Sequence, residues 1–312
     1  MSAIKVGGGI PQRSPEWLAA RRHGITATDV PAILGVSPFT DATPVGVWLS
    51  KREDTPPIAE TEAMRWGTKL EPTVAEHYRE NNSGVWLDES PPLLQHHEHP
   101  WMLASVDCIA HHRDAGDPWI VEIKTSRRPY EDDVVPQHVW CQVQWQMAVL
   151  ELDRADVAAL FHGSRYQQWT IERDDDWIQS ITDHCRGWWQ LHVRDGVRPE
   201  IDPERDAALL PRIWTPQPGK QKEIPPHLVE MWAASAAAMK AAKEAEEAVK
   251  VTIQDAMENA EEATVGGEVV GTWRATKPRV TIDADALRRD GLYDHYTKTG
   301  TAGRMFRMRG NL

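Results

Sequence analysis

Apolar and polar positions along this chain switch between a helical period and a strand period, and the switches outline the fold. Ser14-Pro15-Glu16-Trp17 has the form of a helix start, with Ser as N-cap, Pro at the first helical position and an acid in the first turn; the helix stops at Gly24. Thr26 or Thr28 caps a short second helix with Asp29 in its first turn and Gly35 behind it. A third helix is expected over Asp41–Arg52, followed by a Pro-containing loop at Asp54–Ile58. In Thr61–Asn82, Met64, Leu70, Val74 and Tyr78 recur on one helical face, with a kink expected before Pro72. Glu71 lies beside that stripe and needs a partner there, which Lys69 or Arg79 would supply.

Short extended pieces at Gly84–Leu87 and Pro92–Gln95 lead into Leu103–Ser126, LASVDCIAHHRDAGDPWIVEIKTS. This stretch is expected to form two strands joined by a polar turn over His111–Pro118. Antiparallel pairing would set Asp107 beside Glu122, while Ile120, Glu122 and Lys124 share one face and Val121 and Ile123 the other. Pro136–Leu152 is a helix with Val139, Val143, Met147 and Leu150 on one side and Gln142 and Gln146, four apart, on another. Strands at Asp156–His162 and Arg165–Glu172 flank a Gly-Ser turn, and Asp174–Arg194 is a Trp-rich amphipathic helix. Strands interleaved with helices in this way make an α/β or α+β domain with a mixed sheet.

Seven prolines between Gly196 and Pro226 mark a linker, and the Ala/Glu/Lys-rich stretch His227–Ala263 is a long helix carrying the pairs Lys243/Glu247 and Glu246/Lys250. After Gly266-Gly267 comes a strand, Glu268–Thr276, and then a tail in which Tyr293, Tyr296 and Phe306 stand among charges. The expected organisation is a flexible N-terminus at 1–13, a core at 14–196, a Pro-rich linker at 197–226, and a helix with a basic extension at 227–312.

Composition changes this picture little. No apolar run reaches the roughly 20 residues of a membrane helix, and the N-terminus lacks a signal-peptide core, so an intracellular location without membrane contact is expected. Cys108, Cys141 and Cys185 are odd in number and far apart, which fits a reducing compartment. Charge is more telling. The net value is −12, yet Trp273–Leu312 holds nine Lys/Arg against four Asp, a net +5 that leaves −17 for the remainder. An acidic body argues against indiscriminate nucleic-acid binding, while a basic tail is a local footprint for it.

Two carboxylates and an ammonium on one sheet face are costly to hold together unless a cation sits between the acids. Asp107 and Glu122, with the backbone carbonyl of Ile123, form a set of hard oxygen donors suited to Mg²⁺, and Glu71 is a further candidate ligand. Lys124 is placed to orient or deprotonate a water attacking a phosphodiester, and the Gln142 amide to hold that water or Lys124 itself. His96, His97, His99, His111 and His112 crowd the same region, but their spacing matches no common zinc pattern and is expected of a solvated loop. Gly7-Gly8-Gly9 precedes no strand–helix phosphate cradle.

The ordered stretches WLAARRHGITATDVPAILG (17–35), WGTKLEP (66–72), SVDCIA (105–110), VEIKTS (121–126) and CQVQWQM (141–147) resemble the YqaJ viral recombinase family, the lambda-type phage exonucleases within the PD-(D/E)xK nuclease superfamily. The resemblance spans roughly residues 14–195. It implies a restriction-endonuclease-like core, a mixed sheet between helices, with a helical C-terminal extension beyond it. It also implies Mg²⁺-dependent digestion of double-stranded DNA from an end, 5′ to 3′, to 5′-mononucleotides, with Mn²⁺ a plausible substitute. An endonuclease on the same core, or a non-catalytic DNA-end-binding module, is the alternative. By the match Glu71, Asp107, Glu122 and the Ile123 carbonyl hold metal, Lys124 is the catalytic lysine and Gln142 the auxiliary residue. Arg21 and Thr28 fall where the family contacts DNA phosphate. Implied partners are DNA ends, other copies of the chain in a ring-like trimer or tetramer, and a single-strand annealing protein, in the cytoplasm of a bacterial host and of phage or prophage origin. Val106 stands where the signature has Pro.

Overall fold

The computed structural model describes residues 3–52, 61–114, 116–278, 281–298, 306 and 308. The expected loop at 54–58 and the tail residues Arg279, Arg304, Arg307 and Arg309 lie outside them. The chain divides into two units, Met1–Thr215 and Pro216–Leu312.

In the first unit, β1 (Ile4–Lys5), β2 (Ile25–Thr26), β4 (Leu94–Gln95) and β5 (Met102–Ala104) make a small sheet in the order β1-β4-β5-β2, the last pair parallel. The main sheet runs β3-β6-β7-β8-β9, with β3 (Val85–Glu89), β6 (Cys108–His112), β7 (Trp119–Ser126), β8 (Arg154–Phe161) and β9 (Arg165–Glu172). Only β7 and β8 are parallel within it, and α5 (Gln137–Leu150) crosses between them. The mixed α+β core expected from the strand–helix order is therefore present.

The remaining helices of this unit are α1 (Pro15–Ala20), α2 (Val30–Ile33), α3 (Pro44–Ser50), α4 (Glu62–Asn81), α6 (Asp175–Trp188) and α7 (Leu210–Ile213). The two faces of the main sheet have different covers. Val74, Ala75 and Tyr78 of α4 pack on Cys108, Ala110, Val121 and Ile123, whereas α5 packs on Ile109, Ile120, Ala155 and Val157. Every α5 residue from Cys141 to Leu150 is buried, because strands, α2 and α6 enclose it, so its apolar stripe widens to the whole helix. That leaves Gln142, Gln144 and Gln146 buried too.

Several expected elements change. The first strand of the Leu103–Ser126 stretch is two strands: β5 lies in the small sheet, β6 in the main one, and the chain passes between sheets at Ser105–Asp107. Helix α4 runs through Pro72 as the one helix expected, but Met64 is exposed rather than packed on the sheet. Neither threonine caps α2; Asp29 is its N-cap position and Gly35, at φ +72°, closes it. Gly24 is required where it stands, since a Cβ there would meet the Trp101 carbonyl oxygen at 2.5 Å.

The described residues before α1, from residue 3 onward, are tied down rather than loose. Ile4–Lys5 pair with β4, and Val6 and Ile10 pack against Trp17, Leu93 and Leu103. The core also continues past residue 196. Asp206, fully buried, accepts the Thr43 hydroxyl at 2.5 Å, Leu209 joins the core, and Arg205 donates to the carbonyls of Ser37, Phe39 and Ala42. The proline run thus begins as a strap on the first unit.

In the second unit α8 (Pro226–Met257) has no buried residue, and β10 (Glu262–Val265) and β11 (Glu268–Thr272) form a hairpin over Gly266-Gly267, where only the second strand was expected. Both glycines have positive φ, which the tight turn demands. Helices α9 (Ala284–Arg289) and α10 (Tyr293–Tyr296) follow, with Arg288 over the Tyr293 ring at 4.0 Å. No helix among the described residues is long and apolar enough to cross a membrane.

Candidate active site

The carboxylates meet where the chain changes sheets. Extending the β6–β7 register by one residue sets Asp107 opposite Glu122, and the Ile123 N–H donates to Asp107 Oδ2 at 2.8 Å. Backbone contacts hold the crossing in place: Ser90 N–H donates to the Asp107 carbonyl at 2.8 Å, and Gln12 donates to the Val106 carbonyl at 3.0 Å. Val106 is wholly buried, so an apolar residue other than proline serves at this turn.

Glu122 is 3 % exposed and both of its oxygens are engaged. Lys124 Nζ (2.5 Å) and Gln142 Nε2 (2.6 Å) donate to Oε1, and Gln146 Nε2 (2.7 Å) to Oε2. Lys124 also donates to Gln142 Oε1 at 3.0 Å. The i,i+4 spacing of the two glutamines puts them one helical turn apart, so two neutral amides fix the plane of one carboxylate without adding charge. Gln146 also donates to the Ser105 carbonyl (3.2 Å), and its buried Oε1 lacks a hydrogen-bond partner. Reversing that amide would turn an oxygen toward Glu122, so the orientation is dictated by the carboxylate. The i,i+4 spacing was the sequence signal for Gln146, but the pattern alone assigned it no role.

Glu71 enters from α4, and its partner is neither Lys69 nor Arg79. Lys69 lies over the Trp66 ring and Arg79 pairs with Glu89, while Arg13 Nη2 reaches Glu71 Oε2 at 2.6 Å across 58 residues of sequence. Arg13 has φ +67°, a conformation that costs a non-glycine residue about 1 kcal/mol. Glu71, Asp107, Glu122, Ile123, Lys124 and Gln142 line one cleft of roughly 410 Å³ together with Arg13, Trp17, Arg21 and Thr28. All eight residues singled out from the sequence thus lie on one surface.

Electrostatics divides the cleft. Burial, then repulsion from Glu122 and Glu71, raises the Asp107 carboxyl well above the usual range. Burial lowers the affinity of the Lys124 ammonium for its proton, but attraction from Glu122 and Asp107 outweighs it and the pKa rises. Glu71, Asp107 and Glu122 thus outnumber the two cations paired with them, Arg13 and Lys124. An oxygen-only donor set with excess negative charge fits a hard divalent cation. The residues that would hold it are Glu71, Asp107, Glu122 and the Ile123 carbonyl.

In the same cleft Arg21 lies over the Trp17 ring at 4.3 Å and donates through Nη2 to Thr26 Oγ1 (3.1 Å) and Thr28 Oγ1 (3.0 Å). The histidines fall in two places, with His96 stacked on both His97 and His99 and the other two apart from them. His111 stacks on Trp86, and His112 Nδ1 accepts the Asp114 N–H. His96 and His97 come together with Glu151, their ligand atoms within 4.8 Å of one another. The two imidazoles stack only 19° from parallel, and His96 Nδ1 accepts the N–H groups of Glu98 and His99.

Residues 16–153 match the model of the YqaJ-like viral recombinase domain. This segment resembles a YqaJ-like viral recombinase domain. It contains every residue of the cleft wall described above except Gln12 and Arg13. The chain is 33% identical over 194 residues to the uncharacterized protein YqaJ of Bacillus subtilis, covering 60% of this chain and 59% of that one. It is 27% identical over 186 residues to an uncharacterized protein of Acanthamoeba polyphaga mimivirus, covering 55% of this chain and 31% of that one. The match therefore spans about three-fifths and one-third of these relatives. Among solved structures, an alkaline exonuclease from Laribacter hongkongensis superposes with TM-score 0.47 at 22% identity, over 58% of this chain and 94% of that one. A phage related exonuclease from Haemophilus somnus 129PT gives TM-score 0.41 at 12% identity, over 56% and 96%.

Proposed function

We propose that the YqaJ-like domain is a divalent-metal-dependent exonuclease that digests double-stranded DNA from an end, 5′ to 3′, releasing 5′-mononucleotides. The observation that carries this reading is the convergence of Glu71, Asp107, Glu122, Lys124 and Gln142 in one cleft of a domain that resembles this family. Mg²⁺ held by the acids would supply Lewis-acid polarisation of the scissile phosphate. The protein's own groups do the remainder. Lys124 keeps its proton beside Glu122 and Asp107, so it acts as a donor, orienting the attacking water or a phosphate oxygen. Gln142 both accepts from Lys124 and donates to Glu122, which locks the lysine's direction. Arg21 and Thr28, which also line the cleft, present donors suited to a strand-end phosphate.

Digestion of linear duplex with Mg²⁺ tests the reading. Lys124→Ala and Asp107→Ala should each lower the rate by about 10²-fold or more, as loss of a transition-state donor or ligand does; wild-type rates in either would refute the assignment. Closed circular plasmid should survive. Its cleavage would instead identify an endonuclease.

A further inference from the structure

A second cluster of donor atoms sits where the loop between β4 and β5 meets the end of α5. His96, His97 and Glu151 each bring one potential ligand atom to within 4.8 Å of the others, and none of the three lines the cleft. The backbone beneath them is fixed on both sides. The His96 N–H donates to the Met102 carbonyl at 3.1 Å and the Met102 N–H to the His99 carbonyl at 2.9 Å, which closes the loop. The Glu151 N–H caps α5 on the Met147 carbonyl, and Glu151 itself has φ 55° and ψ 51°. Glycine is the usual residue in that left-handed conformation, because a Cβ crowds the backbone there. A glutamate in its place turns a carboxylate toward His97.

The spacing of these donors suits a small cation. His97 Nδ1 lies 3.3 Å from Glu151 Oε1, and two ligands each about 2.0 Å from a tetrahedral zinc ion stand about 3.3 Å apart. His96 Nδ1 accepts the Glu98 and His99 N–H groups at 3.1 and 3.2 Å, so its ring proton is on Nε2 and Nδ1 offers a lone pair. Two long bonds share that lone pair, and at a surface turn both amides can pass to water when a metal takes it. The imidazoles must tilt out of their stack to share one ion; His97 and Glu151, 36% and 39% exposed at their side chains, have room to do so. Two imidazoles and a carboxylate favour Zn²⁺ and neighbouring transition ions over Mg²⁺, unlike the oxygen-only set of the cleft. Because the third ligand comes from the end of α5, no local spacing in the histidine run reveals the set.

We propose that His96, His97 and Glu151 form a transition-metal site of the zinc class, separate from the cleft, that clamps the end of α5 to the β4–β5 loop. Water completes the coordination. The clamp steadies, at its C-terminal end, the helix whose Gln142 and Gln146 hold Glu122. It does not depend on the nuclease reading. Cys108, Cys141 and Cys185 are buried, so no thiol competes for the ion.

Calorimetric titration of the full chain with zinc chloride, in buffer containing Mg²⁺, tests the site. The wild type should bind with a dissociation constant of about 10 μM or tighter. Glu151→Gly puts the favoured residue at the left-handed position and so keeps the fold; it should weaken that binding about tenfold or more, as should His97→Asn. Asp107→Asn, which breaks the donor set of the cleft, should retain it. Weaker binding by the wild type overturns the proposal, as does wild-type affinity in Glu151→Gly and His97→Asn or loss of binding in Asp107→Asn alone. Thermal denaturation gives a second reading: zinc should raise the wild-type Tm and leave Glu151→Gly nearly unmoved. Equal shifts in the two proteins are equally fatal.

Discussion

At the residue scale the site is governed by a conflict of charge around Asp107. Its folded-state pKa is raised by burial and by Glu122, so the folded protein holds this proton more tightly than the unfolded chain does. The resulting stabilisation is complete below the unfolded carboxylate range, near pH ~4, and is lost as pH rises through the raised value. At neutral pH and without metal, Asp107→Asn should therefore raise Tm while abolishing digestion. Adding Mg²⁺ should raise the wild-type Tm and leave the variant nearly unmoved, which thermal denaturation with and without the cation measures. A wild type at least as stable as the variant in chelator would show that the carboxylate conflict is absent. Arg13 belongs to this scale too. It neutralises Glu71 from a strained backbone position, and its neighbours in sequence offered no sign of it.

At the element scale, α4 and the main sheet are joined by one buried hydroxyl. Tyr78 donates to Asp156 Oδ2 at 2.5 Å and accepts the Trp119 indole N–H at 2.9 Å, while Asp156 also receives Arg154 and Thr170. Burial, followed by Asp156, pushes the phenol's pKa up, so it stays a donor. Tyr78→Phe strips a partner from both an aspartate and an indole, an expected loss of about 1–3 kcal/mol. For a unit of this size that is a fall of about 2–4 °C in Tm per kcal/mol, read by calorimetry. Because α4 carries Glu71 two turns earlier, the loss should also weaken metal binding. Periodicity identified α4 and its Tyr78 face correctly, since a 3.6-residue repeat is a local property. It placed Met64 on that face as well, because periodicity cannot tell where a helix runs past the edge of what it covers.

At the scale of the whole molecule, the boundary of the first unit is set by a strap and not by composition. Prolines suggested a linker from 197, but Arg205, Asp206 and Leu209 fasten the segment over residues 37–43. A chain ending at Thr215 should keep the cooperative unfolding of the first unit. One ending at 196 exposes the Thr43 and core contacts and should lose about 2 kcal/mol or more, seen as a lower urea midpoint. Equal midpoints would return the boundary to 196.

The sequence by itself determined the longer helices and most strands of the main sheet, the approach of Asp107 to Glu122, and the ordered motifs running from Trp17 to Met147. Each depends on short-range spacing: alternate positions share a strand face, and residues four apart share a helix face. Tertiary structure alone decided that Arg13 would neutralise Glu71, that Gln146 would take the second oxygen of Glu122, and that Lys51 would pair with Asp29. Those pairings join groups 22 to 58 positions apart, and a charge's distant partner leaves no period in the chain. The transfer of the strand between sheets at Ser105–Asp107 was decided in the same way. It is invisible in an unbroken apolar run, yet it turns Asp107 out of a ladder and into a cleft.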